Sequence, residues 1–191
     1  MEETELDLRE ITCQEFIYVP ENKYTVVSED EDIPDLVTSH VNDCVVVTMH
    51  DGDGSYGMAH VNREDSIDRF LSITKSETIE QMLDDLPEGQ YEANIVNKGR
   101  PSETAFHSAE NSVLNSSKVK DGSYNIVMPD YPSELNPELK PFRNPIRNSI
   151  EVGFTSEGEV FIPGTHPTLE YDEEEIEKTN QGPGISDDYI V

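Results

Sequence analysis

Cysteine is scarce in this chain. Its 191 residues hold two, Cys13 and Cys44, too few for a disulfide framework. A bridge between them would occupy the more interesting of the two thiols, so a reducing compartment is expected. Long apolar runs are missing as well. Hydrophobic residues make up 34% of the chain, below the usual globular share, and no run approaches the ~20 residues that cross a bilayer as a helix. The opening MEETELDLRE is acidic and lacks the apolar centre of a signal peptide, so neither a Sec signal nor a transit peptide is read. The expected location is cytoplasmic, or a host cell reached through a secretion system that reads no cleaved signal.

Basic residues are the third shortage. Lys and Arg number 13 against 41 Asp and Glu, a formal net charge of -28. Such a field repels phosphate backbones and anionic lipid surfaces, which argues against nucleic acid and membrane as partners. What remains is a protein partner with a basic surface, adaptation to a saline cytoplasm, or plain solubility. Residues 1–35 hold 12 acids against two basic residues, and acid gathers again in the tail. Salt adaptation would spread it evenly. A monomer is expected.

The pattern of β-formers and turns predicts an α+β fold: an antiparallel-rich sheet or sandwich with one to three helices packed on it. Strands are read at EFIYV (Glu15–Val19), YTVVS (Tyr24–Ser28), VVVTM (Val45–Met49), YGMAHV (Tyr56–Val61), YEANIV (Tyr91–Val96) and SYNIVMP (Ser123–Pro129). SIEVGFTSEGEVFIP (Ser149–Pro163) reads as a hairpin, and SEDEDIPD (Ser28–Asp35) as a charged loop. The apolar spacing of Arg63–Leu86 predicts helix, with Ser76 able to cap a second one. His107–Ser117 reads as a short helix. The domain is expected over residues 14–163, after an acidic extension (1–13) and before a disordered acidic tail (164–191).

The segment SHVNDCVVVTMHDGDGSYGMAH (Ser39–His60) carries one cysteine and three of the five histidines. If its two strands pair about a turn centred near Asp51–Gly54, Cys44 falls opposite His60 within a residue. An ordinary thiol, with a pKa of about 8.5, is mostly protonated at neutral pH, and a neighbouring imidazolium lowers it. Val41-Asn42-Asp43 would present backbone N–H groups to an oxyanion, and Thr38 would bond the imidazole and fix its tautomer. The competing reading is a small buried cysteine and a hydrogen-bonded histidine, without chemistry.

Thr38, then a short turn, Cys44, a strand, an acidic-glycine loop and Gly57-Met58-Ala59-His60 resemble the cysteine deamidase superfamily. That superfamily includes CheD-type chemoreceptor glutamine deamidases and toxins of the cytotoxic-necrotizing-factor and Burkholderia-lethal-factor kind; protein N-terminal asparagine amidohydrolase shares the plan. The resemblance implies a CheD-like fold over about residues 14–163 and a Cys44 nucleophile, with His60 as acid and base, Thr38 as its orienting partner, and Asn42 and Asp43 as oxyanion or substrate contacts. It implies no metal and no cofactor. The substrate would be a protein, with Gln converted to Glu. One departure is plain: the family's Leu-Gly-Ser-Cys is Val-Asn-Asp-Cys here. Rival readings are a thiol protease or asparagine amidohydrolase on the same pair, and an inactive acidic binding module.

Other motifs carry less. DGDGSYG (Asp51–Gly57) lacks the Gly and Glu positions of an EF-hand. His40 is an alternative base, and His50 with His60 and Cys44 falls one ligand short of a zinc site. NKGRPSE (Asn97–Glu103) is a mild basic patch that reads as a loop, while His107 and His166 read as solvated.

Overall fold

Val45, Val46 and Val47 are all fully buried, although successive strand residues point to opposite faces. A strand apolar on both faces must be covered on both, and the architecture supplies two covers. The structure is a computed structural model that describes residues 8–10, 16–28, 35–41, 43–69, 73–97, 102–128 and 150–164.

In chain order the strands are β1 (Leu8–Glu10), β2 (Phe16–Tyr18), β3 (Lys23–Val27), β4 (Asp35–Val41), β5 (Val45–His50), β6 (Tyr56–Val61), β7 (Ser66–Arg69) and β8 (Ile73–Ser76). Helix α1 (Glu77–Asp85), β9 (Glu92–Val96), helix α2 (Glu103–Leu114), β10 (Asn125–Val127), β11 (Ile150–Phe154) and β12 (Val160–Gly164) follow. One five-stranded sheet has the order β1-β12-β11-β4-β2, the other β10-β9-β5-β6-β3, and β7-β8 forms a separate ribbon. The fold is α+β with strands of mixed orientation. Among the described residues, no helix is long and apolar enough to cross a membrane.

The two sheets pack face to face. Val46, Tyr56, Met58 and Val96 of one meet Leu36, Val41, Val152 and Phe154 of the other in one core. On the opposite face, Val45, Val47, Met49, Ala59 and Val61 pack under Ile79, Met82 and Leu83 of α1 and Ala105, Ala109 and Val113 of α2. Helix α1 lies close: a Cβ at Gly57 would stand 3.1 Å from the Thr25 carbonyl and 3.3 Å from Met82 Sδ. Ser76 caps α1 by accepting from the Ile79 N–H (3.0 Å). Asp65 accepts from the Thr78 N–H (3.1 Å), placing negative charge at the positive end of the helix dipole. Lys118 donates to the Leu83 and Leu86 carbonyls at the other end.

Most of the expected strands form, and the second half of the expected Arg63–Leu86 helix is α1. Among the described residues its first half is not α-helical: it holds a single 3-10 turn, Arg63–Asp65, and two strands. Ser66–Arg69 pairs antiparallel with Ile73–Ser76, because α2 takes up the β8 backbone: Asn111 Nδ2 donates to the Thr74 carbonyl (3.0 Å) and the Ser76 N–H donates to Ser112 Oγ (3.0 Å). Tertiary partners outweigh apolar spacing in a stretch this short. Helix α2 itself starts four residues before the expected His107. β4 extends through what reads as a turn before the cysteine. The 14–163 domain boundary and the tail fall mainly on residues outside those described.

Two measurements follow from this packing. A Cβ at Gly153 would meet three Phe161 ring carbons at 2.3–2.6 Å, and Phe161 is buried in its turn. Gly153→Ala is expected to cost about 1–3 kcal/mol by overpacking, read as a lower urea midpoint; an unchanged midpoint contradicts the contact. Burial, followed by hydrogen bonds to Asp85 and Glu110, pushes the Tyr24 and Tyr124 phenols from 10.0 up to about 12. Each phenol stabilises the fold fully below the unfolded value and loses that contribution as pH rises through the folded one. The melting temperature should therefore fall between about pH 10 and pH 12, and a Tyr24→Phe, Tyr124→Phe double variant should flatten that fall.

Candidate active site

The β5–β6 hairpin is closed by an aspartate. Asp51 Oδ1 accepts from the Asp53 N–H (2.8 Å) and the Ser55 N–H (3.0 Å), and the Asp51 N–H donates to the Ser55 carbonyl (3.1 Å). Gly52 and Gly54 sit at φ +82° and +111°, conformations that favour glycine. The turn is therefore centred on Asp53, and the register is Val45↔Val61, Val46↔His60 and onward to His50↔Tyr56. Continued one residue back, Cys44 stands opposite Asn62. Direct opposition of Cys44 and His60 is corrected to a diagonal: same sheet face, adjacent strands, two residues apart along the chain. Diagonal neighbours lie about 7–8 Å apart at Cα, within reach of a long or ring side chain.

That shared face points into the inter-sheet core, where β4 brings Thr38. Thr38 Oγ1 lies 2.7 Å from His60 Nδ1 and donates its own hydrogen to the Val19 carbonyl (2.6 Å). A hydroxyl has one hydrogen to give. With it spent on Val19, Thr38 accepts from Nδ1–H, and the neutral imidazole keeps its lone pair on Nε2. Thr38 is 0% exposed, His60 1% and Cys44 7%. The second sheet covers this hairpin face.

Thr38 reaches this position because β4 carries an irregularity. Val41 pairs with Ile150 and Thr38 with Val152, so three steps on β4 match two on β11. The extra residue, at Ser39–His40, resets the alternation, and both Thr38 and Val41 face the inter-sheet core. Val19–Asn22, between β2 and β3, laces the sheets together. The Val19 N–H donates to the Val37 carbonyl (2.7 Å) in one sheet, and the Asn22 N–H donates to the His60 carbonyl (2.6 Å) in the other. Asn22 Oδ1 also accepts from the Asn62 N–H (3.0 Å). Asn22 sits at φ +57°, which asparagine tolerates.

The remaining expected residues are placed as follows. Asp43 is exposed, and its carbonyl accepts from the Ser102 N–H (2.8 Å), tying the start of α2 to the residue before Cys44. Asn42, Cys13 and His166 lie outside the described residues. His40 lies within β4. His50 closes β5 at the end away from Cys44, a strand length of about 17 Å, under the Gly158 turn and beside Phe154. It cannot share a metal with Cys44. His107 is exposed between Glu103 and Glu110. Among the described residues, no three or more His, Cys, Asp and Glu side chains are grouped to hold a metal ion. The sequence reading missed the Val19 carbonyl, the Asn22 bracket and the Ser102 tie. Of these, only Asn22 carried a signal, as a turn residue.

No protein-family model matches the chain, and a search of curated proteins returns no match.

Thr38→Val removes a hydroxyl from between two buried polar groups. It is expected to cost about 1–3 kcal/mol for each group left without it, measured by urea unfolding, while Thr38→Ser stays near wild type. In ¹⁵N NMR of the neutral imidazole, His60 should appear as the Nδ1–H tautomer. Equal stability of the Val and Ser variants would show that the bond does not hold the two sheets.

Proposed function

We propose that this chain is a cysteine-dependent amidohydrolase, a protein-glutamine deamidase with Cys44 as nucleophile, His60 as acid and base, and Thr38 as its orienting partner. One observation carries the reading: the Thr38 Oγ1–His60 Nδ1 hydrogen bond, which supports a tautomer with its lone pair on Nε2, on the sheet face shared with Cys44. A satisfied core histidine needs only some partner. A partner that also spends its hydrogen on Val19 leaves the imidazole one role at each nitrogen, as a general base requires.

His60 Nε2 takes the thiol proton, and Cys44 Sγ attacks the carboxamide carbon. Backbone N–H groups just before the cysteine are assigned to the oxyanion. The imidazolium gives its proton to the departing nitrogen, and ammonia leaves a thioester. Water then gives one proton to His60 as its oxygen attacks; the C–S bond breaks, and the thiol recovers its proton. The sum is carboxamide plus water to carboxylic acid plus ammonia.

Burial narrows the substrate. A peptide carbonyl within a strand cannot approach a thiol that is 7% exposed, whereas a glutamine amide extends on a flexible stem. Asparagine, one methylene shorter, reaches less deep. The same burial supports a second reading, an acidic binding module whose thiol is inert.

Incubating the protein and its Cys44→Ser variant with proteome extracts separates these. Cys44-dependent mass gains of about one dalton at Gln, without chain cleavage, are the expected result. His60→Asn should lower that rate by roughly 10²–10⁴-fold. Cleaved peptides would move the assignment to a protease. No gains, together with slow alkylation of Cys44, would leave the binding module.

A further inference from the structure

Lys23 opens β3, and the β3–β6 register pairs it with His60. Its direction follows from its neighbours: Tyr24 and Val26 pack into the helix-side core and Val27 into the inter-sheet core. Alternation therefore sends Lys23 to the inter-sheet side. Directly opposed residues hold their Cβ atoms about 4.5–5.5 Å apart. Cys44 lies on the same face, one strand further on and two residues along from this row. Among the described residues, Lys23 is the basic residue that the register sets beside this pair.

A chain of net charge -28 is a poor host for one more anion. The charged groups around this end of the sheet are mostly acidic. Asp43 precedes Cys44, Glu21 is bonded by Asn62, Glu103 starts α2 beside Ser102, and the short 3-10 turn after β6 holds Arg63 with Glu64 and Asp65. The acids disfavour a thiolate and favour an imidazolium, and Arg63 offsets only part of their charge. A nearby cation opposes both effects: whichever member of the pair loses its proton first, a positive neighbour makes the loss easier.

We propose that Lys23 is the charge that tunes this pair: its ammonium lowers the pH at which the Cys44–His60 pair loses the first of its two protons, leaving the one-proton pair that the reaction uses populated near neutral pH. The role is a positioning one, exerted through the field, and it rests on the reading of Cys44 as nucleophile.

The test is the rate of Cys44 alkylation by iodoacetamide from pH 5 to pH 10, an uncharged reagent that the protein's field does not steer. The full chain is compared with Lys23→Met, Lys23→Gln and Lys23→Arg, with circular dichroism confirming the fold of each. The neutral variants should move the midpoint to higher pH and slow alkylation below it by roughly threefold to tenfold; Lys23→Arg should keep the wild-type profile. Two neutral variants guard against one that does not fold. An unchanged midpoint in a folded neutral variant overturns the proposal. So does an equal shift in Lys23→Arg, which would mark packing rather than charge. No substrate enters this readout, so its failure and the failure of deamidation in extracts are separate results.

Discussion

The Thr38 hydroxyl sits between two buried groups, the Val19 carbonyl and His60 Nδ1, one in each half of the molecule. A buried polar group without a partner costs far more than a satisfied one contributes. Once a histidine is committed to the interior of a sandwich, the surrounding chain must supply that partner. The β4 irregularity turns Thr38 inward, the Asp51 turn sets the row on which His60 stands, and Val19–Asn22 runs between the sheets at the level of the bond. These features are separate in sequence and converge on one hydroxyl.

Charge is distributed against this interior. Among the described residues no aspartate or glutamate is buried, while the inter-sheet core is largely valine, methionine and aromatic rings, with His60, Thr38 and Cys44 among its polar members. Tyr56 and Phe154 pack across the sheets with ring centroids 6.3 Å apart. Beyond the Thr38–His60 pair, Asn94 Nδ2 donates to the buried Thr48 Oγ1 further along the sheet (3.2 Å), and at the Cys44 end Asp43 is exposed.

Much of this was legible in the residues. Runs of β-formers bounded by turn residues marked β3, β5, β6 and β9, and Thr38, Cys44 and His60 stood out together. The hairpin register came out one to two residues away, because Asp51 Oδ1 captures Ser55 as well as Asp53 and widens the turn. No local signal could have done better, since Asp-Gly-Asp-Gly offers two equally good centres. β7 and β8 were invisible for a different reason: their ribbon depends on α2, thirty residues downstream. β4 was hidden by the acidic segment before it. The assignment of β2 and β3 to different sheets is a tertiary fact that four intervening residues do not encode.

Those four residues, Val19 to Asn22, have one more consequence. A connection this short, bonded at both ends to different sheets, leaves no slack for one sheet to slide or lift while the other stays folded. The halves of the sandwich should therefore open as one cooperative unit. Amides along β4 and β6 should exchange with solvent through global unfolding rather than local fraying, giving protection in that band equal to the stability of the whole domain. A chemistry that depends on Thr38 and His60 would then persist while the fold persists and vanish with it, with no partly open form between.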